Sequence, residues 1–180
     1  MKCPACDSST LKPSRIENGP AARVCAGCEG QWISSKDYWS WMEQLDVDAP
    51  AIYSDVDYQT EDSRGAKLCP DCGRILIKFK VGHGLEFRLD HCNACNGVWL
   101  DKHEWDVLKS RNLHGDIHSI FSTQWQREVR TEERARHFDL SYRQKFGEDY
   151  ERIKGFKTWL DQEPLKSSIL AFLTDPNPFE

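Results

Sequence analysis

The chain has 180 residues, 39% of them hydrophobic, which suits one ordinary domain or several small ones. No apolar run approaches the about eighteen residues that a membrane span needs. Twenty-four basic against 29 acidic residues give a formal charge of −5. That balance counts against a general nucleic-acid binder, whose footprint is usually basic.

In chain order, the first motif is Cys3-Pro4-Ala5-Cys6, answered by Cys25-Ala26-Gly27-Cys28. Two thiolates of a CxxC turn converge on one ion, and a second such turn brought back by a hairpin completes a tetrahedron. The hairpin between them spans Leu11 to Val24, with Asn18-Gly19-Pro20 as its turn signal. After Cys28 come Gly30, Trp32 and Ile33, then Ser34 with Asp37 three positions on. The glycine is read as a positive-φ turn next to the metal, and the tryptophan as a large apolar lid over a small core. Ser34 and Asp37 read as a helix N-cap with an acid near N3.

Residues 47–66 form an acidic connector with one basic and five acidic side chains. It has no sustained periodicity and contains Pro50 and Gly65. Ile52, Tyr53, Val56 and Tyr58 leave two readings open, a loose tether or a segment packed along a neighbouring edge.

The pattern then returns. Cys69-Pro70-Asp71-Cys72 and Cys92-Asn93-Ala94-Cys95 are followed by Gly97, Trp99, Leu100, Asp101 and Glu104. Asp101 and Glu104 are expected to start a second helix as a capping box. Between the cysteine pairs, Ile75, Ile77, Phe79 and Val81 alternate on one face and meet Leu85, Phe87 and Leu89 across the turn Gly82-His83-Gly84. Arg74, Lys78, Lys80 and Arg88 fall on the opposite face, a candidate contact for phosphate or an acidic partner, with Glu86 and Asp90 partly cancelling it.

These two segments resemble the TFIIB-type zinc-ribbon family, whose pattern runs C-P-x-C, then C-x-x-C-x-G-x-W-x-D-x-x-E. The second copy matches at Cys69, Pro70, Cys72, Cys92, Cys95, Gly97, Trp99, Asp101 and Glu104, and the first departs only at Ser34 and Asp37. The resemblance covers roughly the first 112 residues and implies zinc held tetrahedrally by four cysteines in each copy. Its name suggests transcription, but a shared fold does not determine function. Four disulfides would be the competing use of eight cysteines. The expected absence of a signal peptide favours zinc in a reducing, cytoplasmic setting. With two zinc tetrathiolates the charge falls to roughly −9.

Beyond residue 112 the resemblance ends. Ile117, Ile120, Phe121, Trp125 and Val129 recur in steps of three and four, the mark of an amphipathic helix. A charged run follows in which Arg127, Arg130 and Arg134 could meet a nucleic-acid backbone, opposed by Glu128, Glu132 and Glu133. Phe138, Tyr142, Phe146 and Tyr150 continue at four-residue intervals, Gly147 ends or kinks that helix, and Pro164 stops the next. A last short helix covers Leu165 to Leu173. These aromatics form either a small core or a docking surface for a protein partner or a second copy. Among the histidines, His91 adjoins a complete set of ligands, and His114 and His118 lack an evident third one.

No phosphate-cradling loop, nucleophile elbow or HExxH motif occurs, and no cysteine is left over to act as a nucleophile. The fold class expected is small α+β. Ribbons with short helices occupy 1–46 and 67–112, an acidic linker 47–66, and an all-α region 113–180. The expected role is that of a non-enzymatic, zinc-binding protein–protein adapter. The rival is a nucleic-acid-binding regulator using the basic hairpin face and the arginine helix.

Overall fold

The computed structural model describes residues 1–6, 9–45, 60, 62–63 and 65–179. The linker side chains Ile52, Tyr53, Val56 and Tyr58 lie outside these residues, so neither reading of them is tested. The chain divides into two compact units, Met1–Arg130 and Thr131–Glu180.

In the first unit each copy folds as two long strands, a short third strand and a helix. The first copy contributes β1 (Leu11–Arg15), β2 (Ala21–Cys25), β3 (Gln31–Ile33) and α1 (Ser35–Met42). The second contributes β4 (Ile77–Gly82), β5 (Leu85–His91), β6 (Val98–Leu100) and α2 (Glu104–Ser110). The short strands join the copies: β3 and β6 pair antiparallel with Trp32 opposite Trp99. The result is one six-stranded sheet in the order β1-β2-β3-β6-β5-β4, with the two copies meeting at its centre.

Strand alternation then divides the side chains between two clusters. Ile33, Val98 and Leu100 enter a core with Val81, Phe87 and Leu89 from the hairpin and Tyr38, Trp105, Leu108, Ile117 and Ile120 from the helical segments. Trp32 and Trp99 point the other way, into a cluster with Cys3, Cys25, Cys69 and Cys92. A small unit thereby buries both a conventional core and the surroundings of its metal ligands.

The hairpin of the second copy forms where the alternation predicts, but its first turn differs. Leu76 is buried, whereas Ile75 and Ile77 are exposed. Residues 74–76 precede β4, with only an isolated bridge from Leu68 to Ile75, and Leu76 turns into the cysteine cluster. Regular pairing begins at Ile77, and the expected apolar face is turned inward only from Phe79 onward.

The helix expected from Ile117 onward is two helices, α3 (Ile117–Ile120) and α4 (Thr123–Phe146). Ser122 Oγ accepts from the Trp125 amide at 3.1 Å and restarts the chain as α4. The first turns of α4 dock on the outer hairpin. Trp125 Nε1 donates to the Val81 carbonyl and Gln126 Nε2 to the Lys80 carbonyl, each at 2.8 Å. Val129 packs directly over Gly82, which has φ +76°, so any Cβ there would collide with it. These contacts occupy carbonyls at the end of an edge strand.

The second unit contains the remainder of α4, a 3-10 turn at Gly147–Asp149, α5 (Tyr150–Gln162) and α6 (Lys166–Thr174). Gly147, at φ +53°, interrupts the helix as expected, and α5 ends before Pro164. Among its described residues only Tyr150 and Leu160 are buried hydrophobics.

Candidate metal centres

The eight thiols form two groups. In each, four sulfur atoms lie within 4.8 Å of one another. The closest pairs bridge the two knuckles of a copy. Cys3 to Cys28 is 3.6 Å and Cys6 to Cys25 is 3.5 Å, while Cys69 to Cys95 is 3.5 Å and Cys72 to Cys92 is 3.4 Å. A tetrahedron with zinc–sulfur bonds of about 2.3 Å has edges of about 3.8 Å. A disulfide needs sulfurs about 2.0 Å apart, so the competing disulfide reading does not fit. All eight cysteines are free.

Local backbone geometry fixes the knuckles. The Ala5 amide points at Cys3 Sγ and the Cys72 amide at Cys69 Sγ, both at 3.4 Å. Across the sheet, the Cys25 amide donates to the Gly30 carbonyl and the Cys92 amide to the Gly97 carbonyl, each at 2.9 Å. Burial raises the Cys3 thiol to about 11. Burial also acts to raise Cys92, but amides of Cys95 and Ala94 and neighbouring thiols outweigh it and bring that group down to about 7. Ser9 Oγ lies 2.7 Å from Cys25 Sγ, an additional donor that the spacing of the cysteines did not reveal.

The tryptophans are exchanged between the copies. A Cβ added to Gly97 would overlap the Trp32 ring, and one added to Gly30 would overlap the Trp99 ring. The six-membered ring of each indole, nearest at Cζ2, lies against the glycine of the other copy. The positive φ expected at these glycines belongs instead to the residues before them, Glu29 at 58° and Asn96 at 56°. Close approach, not backbone handedness, is why glycine stands at both sites.

Hydrogen bonding reinforces the exchange on one side. Trp32 Nε1 donates to Asp71 Oδ2 at 2.9 Å, and Arg23 Nη1 reaches Asp71 Oδ1 at 2.6 Å. Asp71 lies inside the second copy's first knuckle, so two residues of the first copy clamp it. Burial raises its carboxyl, but Arg23 and Trp32 more than compensate and hold it below the usual range. The corresponding residue of the first copy is Ala5, whose side chain has no acceptor for Trp99. Trp99 Nε1 bonds Asp101 Oδ1 instead, at 2.8 Å.

Asp101 therefore has a different task from the cap expected of it. Helix α2 begins at Glu104, preceded by His103 in the left-handed region, and no side chain caps it. Half of the predicted box survives: Glu104 Oε2 accepts from the Asp101 amide at 2.8 Å. The Asp101 carboxylate accepts from Trp99, from the amide and hydroxyl of Ser63, and from Lys67 at 3.2 Å. Lys67, fully buried, also pairs with Asp90. In the first copy, by contrast, Ser34 Oγ accepts from the Asp37 amide at 3.1 Å as expected.

Asp62, Asp101 and Glu104 also bring carboxylate oxygens within 4.8 Å of one another. Asp62 accepts from the Arg88 amide and guanidinium and Asp101 from Ser63, Lys67 and Trp99, while Glu104 Oε1 is buried without a hydrogen-bond partner among the described residues. Burial holds the Glu104 carboxyl well above its usual value, with Asp101 adding to the shift. This constellation anchors the end of the linker on the second hairpin.

The residues of the candidate basic face have mixed surroundings. Lys78 donates to the Ser63 carbonyl at 2.8 Å and lies 3.8 Å from Asp90, and Arg88 pairs with Asp62 at 3.1 Å. Lys80 is opposite Arg88 in the ladder. Arg74 is exposed after the second copy's first knuckle, and Arg127, Arg130 and Arg134 are exposed along α4. His91 Nδ1 meets Asn93 at 2.9 Å and its ring stacks on Phe121 at 4.1 Å, away from the metal ligands' role.

The profile of one family, described as a transcription factor zinc-finger, matches residues 2–44 and again 68–111. The protein carries two tandem TFIIB-type zinc ribbons. Comparison with curated proteins and with solved structures gives no significant match. The two tetracysteine sites of the ribbons suit two structural zinc ions. Four thiolates close each coordination shell, and zinc supplies there the cross-link that a core this small lacks. No helix among the described residues is long and apolar enough to cross a membrane.

Proposed function

We propose that this protein is a non-enzymatic adapter that binds another protein, with the joined ribbons as its rigid body and transcription as the setting. The observation that carries this reading is the apolar surface of the second unit. Phe138, Leu140, Tyr142, Phe156, Trp159 and Phe172 are all between 44% and 60% exposed. Large apolar side chains exposed in this number on a unit of 50 residues are uncommon on a monomer and mark places where macromolecules dock. Structural zinc fits the same picture, because a site saturated by four thiolates has no position left for substrate or water.

The rival reading is a nucleic-acid-binding regulator. It would use the basic face of the second ribbon, Arg74, Lys78, Lys80 and Arg88, with Arg127, Arg130 and Arg134 of α4. The acidic total opposes it, as does the engagement of Lys78 and Arg88 by the linker end. A gel-shift series over several salt concentrations separates the two. The adapter reading expects weak binding that vanishes at physiological salt, and tight binding with a steep salt slope would overturn it. A complementary arm compares affinity capture by the wild type and by a Phe138→Glu, Trp159→Glu variant. Loss of a specific partner with both zinc ions retained is the expected result, and an unchanged set of captured proteins would count against the surface.

A further inference from the structure

Helix α6 and the groove between α4 and α5 lie in the same unit but do not meet. The run Ile169-Leu170-Ala171-Phe172-Leu173 places five consecutive apolar residues at 100° steps, so it is apolar around its whole circumference. A helix of this kind belongs in an interior. Yet none of its residues is buried, and Leu170, Phe172 and Leu173 are 44%, 50% and 55% exposed.

A groove of 430 Å³ lies between the other two helices. Tyr142 and Phe146 of α4 and Tyr150 and Ile153 of α5 line it, with Lys154 and Lys157 among its polar residues. Its volume falls in the range of sites that hold a ligand or a few large side chains. No residue of α6 lines it. Its α5 walls come from the first half of that helix, whereas α6 leaves from the other end through Glu163-Pro164-Leu165. Ion pairs stiffen the groove: Asp139 bonds both Tyr150 and Lys154, and Arg143 reaches Glu151 at 2.8 Å.

We propose that α6 of one chain fills the α4/α5 groove of a second copy, and that the exchange is reciprocal, giving a two-fold dimer. This deepens the adapter reading, on which it rests, by assigning part of that apolar surface to self-association. Three observations select a second copy over an unlike partner. The chain itself carries both the apolar helix and the groove that would enclose it. Residues 131–180 hold eight basic and ten acidic side chains, so no strong field excludes a second copy. The area is also sufficient. Leaving out Phe138, Phe156 and Trp159, nine large apolar residues between Leu140 and Phe179 are at least 38% exposed, roughly 900 Å² per chain, against about 800 Å² per partner in a stable interface. A reciprocal contact about a two-fold axis is isologous, so the pair closes and leaves no open end. Phe138, Phe156 and Trp159 stay outside the exchange and remain available to a different protein.

The test is the mass of the intact, zinc-loaded chain by sedimentation equilibrium at micromolar concentration. The expected value is twice the 20.9 kDa of one chain, and a 20.9 kDa species overturns the proposal. Two variants then identify the contact. One is Leu170→Asp with Phe172→Asp in α6, and the other is Tyr142→Asp with Ile153→Asp in the groove. All four positions are exposed in the single chain, and two zinc ions per chain confirm that the ribbons remain folded. Each variant alone should be monomeric. Mixed together they should form a weaker heterodimer, because the intact α6 of one still meets the intact groove of the other. A dimer that persists in the α6 variant, or a mixture that stays monomeric, overturns the exchange. A monomeric wild type that still captures a partner would leave the adapter reading standing, whereas a dimer capturing nothing would do the reverse.

Discussion

Gly30 and Gly97 face the indole rings of Trp99 and Trp32, and neither has room for a methyl group. Gly30→Ala or Gly97→Ala should cost about 1–3 kcal/mol, the usual penalty for overpacking, read as a fall in the denaturant midpoint. Adding Trp99→Phe to Gly30→Ala should recover part of the loss. A variant as stable as the wild type would contradict the exchanged packing. Glu104 provides a second test through pH. Burial holds its folded carboxyl well above the usual range. Its contribution to stability is therefore complete below the unfolded value and declines as pH rises through that value towards the folded one. Glu104→Gln removes the titration but keeps an oxygen for the Asp101 amide. The gap in Tm between variant and wild type should move in the variant's favour from about pH 5 upward. Parallel profiles would mean that Glu104 does not carry this linkage.

At the scale of elements, each ribbon ends in a helix by a different device. Helix α1 has its Ser34 cap, and Ser34→Ala should destabilise the protein by about 1 kcal/mol without changing zinc content. Calorimetry checks this, and an unchanged Tm would make the cap irrelevant. Helix α2 lacks such a cap because Asp101 is bound to Ser63, Lys67 and Trp99. The contrast shows what the sequence could express. Cysteine spacing, the hairpin over 77–91 and the aromatic helices all follow from local periodicity and metal geometry, and were legible. The partner of each tryptophan was not, because two equivalent copies give the same sequence whether the lids are kept or exchanged. The same limit hid the third strands: Gln31–Ile33 and Val98–Leu100 are each three residues long and are held between the second strand of their own copy and each other. Nor does local alternation reveal that Leu76 belongs to the cysteine cluster, since an isolated bridge and a knuckle turn set its direction. Asp101 was legible as an acid in a motif, but besides Trp99 its side-chain donors come from residues 38 and 34 positions away.

For the molecule as a whole, the central β3–β6 junction makes the two zinc sites parts of one structure. Trp32 and Trp99 share a cluster with cysteines of both ribbons, and Arg23 and Trp32 of the first hold Asp71 of the second. A ribbon that loses its metal should therefore uncover the indole and the strand edge on which the other depends. The direct measurement is hydrogen exchange, with zinc counted by native mass spectrometry, on a Cys25→Ser, Cys28→Ser variant that lacks the first site. Amide protection in β6 and at the β5–β6 pairing is expected to fall together with that of the first ribbon, and the second zinc is expected to be released more readily to a chelator. A second ribbon that keeps wild-type protection and holds its zinc as firmly as before would contradict this coupling.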